Sequence, residues 1–268
     1  MKPVTILFLL LLSMTMFSQK FEGKAVYMSK TTMDMSAWGD KMSPQRIKQI
    51  KARMKNFLEK TYTLTFDQAT SSFKENDKLD APGGGAGSRW GGTSNGSIYK
   101  NIKERKLLED KEFFGKRFLI NEQMEQPDWE LSDETKQIGN YTCFKATYTK
   151  VNNDFDWSVF RRRKKTDSTA AKEKEKVRTM QVTAWYTMQI PVSAGPADYW
   201  GLPGLILELN AGRTTMLCTE LTINPEEPVT IKVPSKGKEI SREEYNKLVQ
   251  QKMEEMREMR RGRGGRRR

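Results

Sequence analysis

Short alternating runs of β-type residues, separated by Gly, Asn or Asp and never falling into a strand–helix–strand rhythm, predict an α+β chain dominated by antiparallel β-structure. Two amphipathic stretches, one early and one near the C-terminal end, supply the helices. The expected architecture is a curved sheet or half-barrel with the early helix packed on it and a C-terminal helix following the last strand.

Residues 1–18 read as a secretory signal peptide: Lys2 gives a positive start, "VTILFLLLLSMTMF" an apolar run, and Ser18 a small residue before Gln19. The run falls short of the roughly 20 apolar residues that a spanning helix needs. Export is therefore expected, to the periplasm or outer membrane or into the medium. Residues 19–234 are expected to form a single β-rich domain.

That domain opens with "FEGKAVYMSKT", in which Phe21, Gly23, Ala25 and Tyr27 alternate with polar neighbours as in a half-buried strand. In "SPQRIKQIKARMKNFLEK", Ser43 caps a helix, Pro44 suits its first turn, and Ile47, Ile50, Met54, Phe57 and Leu58 recur as a core-facing stripe opposite Lys and Arg. Then "TYTLTFD" places Tyr62, Leu64 and Phe66 on one face and three threonines on the other. The Gly/Ser-rich residues 80–97 are expected to be a loop inserted in the sheet.

Further short strands are predicted in "SIYKNI", "KRFLIN", "WELSDETKQIGNYTCFKATYTK", "QVTAWYTMQIPV", "TTMLCTELTI" and "VTIKVP". The dense mixed charge of residues 161–178 offers nothing to bury and reads as a second insertion. Residues 235–259 should hold the C-terminal helix, begun by the Ser241–Glu244 capping-box spacing, and residues 260–268 an irregular Arg/Gly tail.

The chain contains no histidine, which excludes Ser-His-Asp and Cys-His nucleophiles and the usual His-bearing zinc sites. Carboxylates are plentiful, but "SDET", "EQPDWE" and "NPEEP" read as polar turns, leaving a carboxylate-based hydrolase as a remote alternative. Met33 and Met35, with Met253, Met256 and Met259, suit soft-metal (copper-type) ligation, although helical Met at this spacing also packs as core filler. No other cofactor is implied. Cys143 and Cys218, the only cysteines, are expected either to form one disulfide in an oxidising compartment or to pack as buried thiols. The net charge of +13 and the basic tail suggest an anionic envelope surface rather than nucleic acid, given the export signal.

"YWGLPGLILEL" predicts a type II turn with Pro203 second and Gly204, at positive φ, third. The strand that follows, Leu205, Ile206, Leu207 and Leu209, is apolar enough to need cover on both faces, and Glu208 within it needs solvent or a partner. The longer stretch "AWYTMQIPVSAGPADYWGLPGLILEL", residues 184–209, resembles the signature of the GLPGLI family of exported bacterial envelope proteins. The similarity extends through "YTLTFDQATSSF", "YKN", "FLI" and "KQIGNYTCFKATY". The resemblance implies a Gram-negative type of envelope and an association with outer-membrane uptake systems, but no established activity.

The functional expectation is a non-enzymatic envelope protein that binds a hydrophobic ligand or serves an outer-membrane partner. Its surface would be built from Trp185, Tyr186, Pro191, Gly195, Pro196, Tyr199, Trp200, Gly201, Leu202, Pro203, Gly204 and Leu205.

Overall fold

A computed structural model describes residues 21–32, 43–76, 93–151 and 179–264. The signal-like residues 1–18, Met33, Met35 and the charged insertion at 161–178 lie outside them. The described strands are β1 (Glu22–Thr31), β2 (Glu59–Asp67), β3 (Thr70–Glu75), β4 (Thr93–Asn101), β5 (Lys106–Phe113), β6 (Lys116–Gln123), β7 (Glu130–Ile138), β8 (Tyr141–Val151), β9 (Thr179–Thr187), β10 (Leu205–Ala211), β11 (Thr214–Ile223) and β12 (Lys238–Ile240). Helix α1 spans Pro44–Leu58 and helix α2 spans Arg242–Gly264.

All the strands join one curved open sheet in the order β12-β6-β5-β4-β3-β2-β1-β11-β10-β9-β8-β7. Every neighbouring pair is antiparallel except β12 with β6. The sheet is two meanders, β1 to β6 and β7 to β11, sealed where β1 meets β11 with Ala25 opposite Leu221 and Tyr27 opposite Cys218. Among the described residues β7 pairs with β8 alone and leaves one edge open.

The period of two decides which side is the core. Ala25 and Tyr27 of β1, Tyr62, Leu64 and Phe66 of β2, and Phe73 of β3 are buried on one face, while the intervening Thr61, Thr63 and Thr65 of β2 are half-buried. Across the register this inner face continues through Ile98 and Lys100 of β4, Leu107 of β5 and Ile120 of β6. Gly23 belongs to it by necessity, because a Cβ there would lie 2.5 Å from the Phe66 ring.

Two elements cover the inner face. Helix α2 lays Tyr245 and Val249 on Phe113, Phe118, Ile120 and Ile240. Arg242, at the start of the helix, bridges Glu109 at 3.0 Å and Glu122 at 2.7 Å. The capping box forms as its spacing predicts: Glu244 N–H donates to Ser241 Oγ, and Ser241 N–H to Glu244 Oε2. Over the other half of the face lies the irregular segment 188–204, which connects β9 to β10 and places Ile190, Val192 and Ala194 in the central cluster.

The structure departs from the sequence expectations at several places. The Gly-rich insertion is shorter than 80–97, because residues 93–97 already belong to β4. Gly96 sits at a register shift between β4 and β5, where a Cβ would lie 2.3 Å from Asp110 O, so its glycine serves a close strand approach rather than a loop. Residues 77–92 lie outside the described ones. Helix α2 runs on to Gly264, past the expected end at Met259; Arg260, Arg261 and Arg263 favour the helix there, against Gly262 and Gly264. "VTIKVP" forms no strand; it leads into the short β12.

Cys143, buried, and Cys218, half-buried, are free thiols in this structure, both packed with the central cluster. Helix α1 forms with its Ser43 cap beside β1 and β2, but Ile47, Ile50, Met54 and Leu58 enter none of the core clusters.

Because Tyr245 is 5% exposed and central to the seam between helix and sheet, Tyr245→Ala is expected to cost about 3 kcal/mol. Urea unfolding would measure the loss, and limited proteolysis would show α2 becoming cleavable before the sheet does.

Candidate functional site

The signature residues converge on a single feature, a buried irregular segment that has to satisfy its own backbone. Pro191, Pro196 and Pro203 remove three donors from that account. Among the remaining donors, Val192 N–H reaches Ile190 O, Tyr199 N–H reaches Pro196 O, and Gly201 N–H reaches Ser193 Oγ. Leu205 and Ile206, at the start of β10, donate back to Ile190 O and Ala194 O. Trp129 Nε1 donates to Trp200 O at 2.9 Å.

Three further carbonyls are taken by one side chain. Lys100 Nζ donates to Gly195 O at 2.7 Å, Ala197 O at 2.7 Å and Tyr199 O at 2.9 Å. The carbonyls of alternate residues point at one place because Ala197 takes φ 50 between them. Lys100 is fully buried on β4, opposite Ser71 of β3, whose buried hydroxyl has no partner among the described residues. Burial pushes the Lys100 pKa from 10.5 down to about 7, and the nearby Asp198 carboxylate acts in the opposite direction. Three acceptors need three N–H groups, which an ammonium has and a neutral amine lacks.

The outer end of the same segment is held by an ion pair. Asp198 accepts from Lys150 Nζ at 2.5 Å, and that ammonium lies 4.8 Å above the Tyr199 ring. Burial opposes ionisation of Asp198, yet Lys150, Arg242 and Lys100 together keep its pKa below the usual carboxylate range. Tyr148, packed edge-on to Trp129 and Tyr199, has its pKa raised by burial and then by Asp198.

The residues proposed as a binding surface are thus mostly interior. Tyr186, Gly195, Pro196, Tyr199, Trp200, Leu202, Gly204 and Leu205 are buried, Trp185 and Gly201 are half-buried, and only Pro191 and Pro203 are exposed. Trp200 packs on Leu107 and Met124, and Tyr199 and Leu202 pack on Ala146, Val182 and Ala184. β10 is covered on both faces as its composition requires, with Leu205 and Leu207 in one cluster and Ile206 and Leu209 in another. Glu208 finds the partner it needs in Lys136, at 2.6 Å, whose ammonium also stands 4.4 Å from the Trp185 ring.

The glycines act differently from the expected type II turn. Positive φ falls on Gly201, at 94, and not on Gly204. Gly204 is glycine because a Cβ there would lie 2.0 Å from Thr187 O, in the backbone of the adjacent strand. Gly195 is similarly tight against the Ile206 side chain. The residue that sequence reasoning did not single out is Lys100. Its only signal was the "YKN" run, in which a lysine occupies an inward-facing strand position.

The other candidate groups lie outside this segment or outside the described residues. Burial pushes the thiols of Cys143 and Cys218 up to about 11, away from the reactive thiolate. Met253 packs on the α2 cluster while Met259 is 64% exposed, so the ends of that row face different surroundings. No group of three or more Cys, Asp or Glu fit to hold a metal occurs among the described residues. An open cleft of about 270 Å³ lies between the β7–β8 turn and β11, lined by Tyr141, Leu207 and Leu221 among others.

These features define an exposed-edge antiparallel sheet tied shut by its own signature segment. Residues 129–208, which hold β7 to β9, that segment and the first part of β10, match the family model described as a protein of unknown function, Porph_ging. No curated protein matches the chain. Two solved structures, "Structure of PNGF-II in P21 space group" and "Structure of PNGF-II in C2 space group", are similar over 86% and 85% of this chain. Their sequence identities are 12% and 11% and their TM-scores 0.48 and 0.47. The chain spans about a third of the length of those proteins, 33% and 32%.

Two substitutions test the tie. Lys100→Met strands three buried carbonyls and is expected to cost at least about 3 kcal/mol in urea unfolding. It also changes the pH dependence. With its folded pKa lowered to about 7, Lys100 binds its proton more readily in the unfolded chain, whose lysine holds it to about 10.5. The Lys100 contribution to stability therefore rises with pH between about 7 and 10.5 and is least favourable below 7, and Lys100→Met should remove that rise.

Gly204→Ala, which collides with backbone, is expected to cost about 3 kcal/mol or more. Gly201→Ala, strained only by its φ, should cost about 1 kcal/mol. The reverse ranking in thermal or urea unfolding would contradict this assignment.

Proposed function

We propose that this chain is an exported accessory protein of the cell envelope, of the GLPGLI type, that acts by binding a partner through its outer surface. The observation that carries this reading is the filling of the inner apolar face. The volume that a carrier would keep free for a hydrophobic ligand holds Ile190, Val192, Ala194, Tyr199, Trp200 and Leu202 of the chain itself. The signature then acts as the internal tie of the fold, and recognition falls to what remains outside.

The signal-like residues 1–18 and the long signature at residues 184–209 support the envelope assignment. The open edge of β7 supports a protein partner, since an unpaired strand edge offers a row of backbone donors and acceptors. Mixed charge at Glu130, Asp133, Glu134 and Lys136 would restrict that edge to a matching partner.

Chain recovered from the envelope and extracted with organic solvent is expected to yield no stoichiometric lipid by mass spectrometry. A photo-crosslinker at Leu131, which is 61% exposed on β7, is expected to give one discrete protein adduct in living cells. A stoichiometric lipid without such an adduct would replace this reading with that of a carrier.

A further inference from the structure

Among the described elements, helix α1 carries an apolar stripe that enters none of the core clusters. Wound at about 100° per residue, Ile47, Ile50, Met54 and Leu58 fall in one stripe. Lys48, Lys51 and Lys55 run along one border of it, and Arg46 and Arg53 along the other. The opposite face is left to Gln45, Gln49 and Ala52, which carry no charge. An ordinary surface helix puts its charges opposite its apolar stripe. Here the cations flank the stripe instead.

The stripe enters none of the core clusters among the described residues: Ile47, Ile50, Met54 and Leu58 are half-buried beside β1 and β2, while Arg46, Lys48, Lys51, Arg53 and Lys55 are all exposed. The helix itself contains no acidic residue, and the neighbouring carboxylate of Glu59 meets Lys55 only at 3.9 Å.

We propose that α1 is an interfacial helix that docks this protein on an anionic lipid bilayer, burying the Ile47–Ile50–Met54–Leu58 stripe below the headgroups while the flanking Lys and Arg side chains reach up to lipid phosphates. An apolar stripe bordered by long cationic side chains fits the boundary between acyl chains and headgroups, because such side chains lay their stems along apolar surface and keep their charge at the polar level. At 15 residues the helix is too short to cross a bilayer and long enough to lie along one. A second copy of α1 is a poor occupant, since the stripes would meet only by bringing their cationic borders together. A nucleic acid would take the cations and leave the apolar stripe exposed.

This goes beyond the partner-binding reading and does not depend on it: the crosslink from β7 and the lipid contact of α1 can each fail without the other. The test uses chain recovered after export and compares vesicles of phosphatidylcholine alone with vesicles that also contain phosphatidylglycerol. The protein is expected to sediment with the anionic vesicles only, and progressively less as salt is raised. Ile50→Asp with Met54→Asp should abolish sedimentation, and Lys48→Gln with Lys51→Gln and Lys55→Gln should weaken it on the order of a hundredfold.

These positions are exposed or half-exposed, so an unchanged thermal unfolding curve should show that each variant is folded. The competing source of charge is the C-terminal arginines. A variant with Arg260, Arg261, Arg263, Arg266, Arg267 and Arg268 changed to Gln should still sediment. Sedimentation that follows those arginines and ignores both α1 variants overturns the proposal, as does equal sedimentation with neutral vesicles or none with either.

Discussion

An ammonium group with three carbonyls around it holds this molecule together. Lys100 reaches from the C-terminal end of β4 to Gly195, Ala197 and Tyr199, some 95 to 99 residues away in the chain, and so fastens the second meander to the first across the inner face. Buried loops are rare because irregular backbone leaves polar groups without partners. Here the carbonyls of alternate residues along 195–199 converge on one point, and one lysine donates to all three. The arrangement resembles the coordination of a metal cation by backbone oxygens, with a covalently attached cation in its place.

Several other features follow from this one. With the segment pinned from below, Trp200 is placed on Leu107 and Met124, and Tyr199 and Leu202 on the β8–β9 surface, so one stretch of chain contributes to three clusters. The tight glycines then make sense as clearances: Gly195 against Ile206, and Gly204 against Thr187. A signature rich in Gly, Pro and aromatics looks like a binding loop when read as a sequence. In the fold it is a seam, in which aromatics supply buried area and glycines supply proximity.

Filling the inner face also redirects the functional question to the exterior. The open edge of β7 and the stripe of α1 lie in different parts of the sheet order, β7 at one end and the β1–β2 pair beside α1 near the middle. A protein contact and a surface contact can therefore coexist without competing for the same residues.

Local rules carried far in this chain. Alternation in "TYTLTFD" and in "FEGKAVY" fixes which residues face inward, and the S-x-x-E spacing at Ser241 starts α2. The apolar run of β10, formed by Leu205, Ile206, Leu207 and Leu209, demands cover on both sides. All of these depend on neighbours within a few residues, and so the sequence by itself determined them. It could not determine that Lys100 is buried, that Gly204 is a clearance and Gly201 the turn, that the two cysteines share one cluster, or that the stripe of α1 enters none of the core clusters. Each of those depends on which distant segment arrives at the same place, and only the tertiary structure decides that.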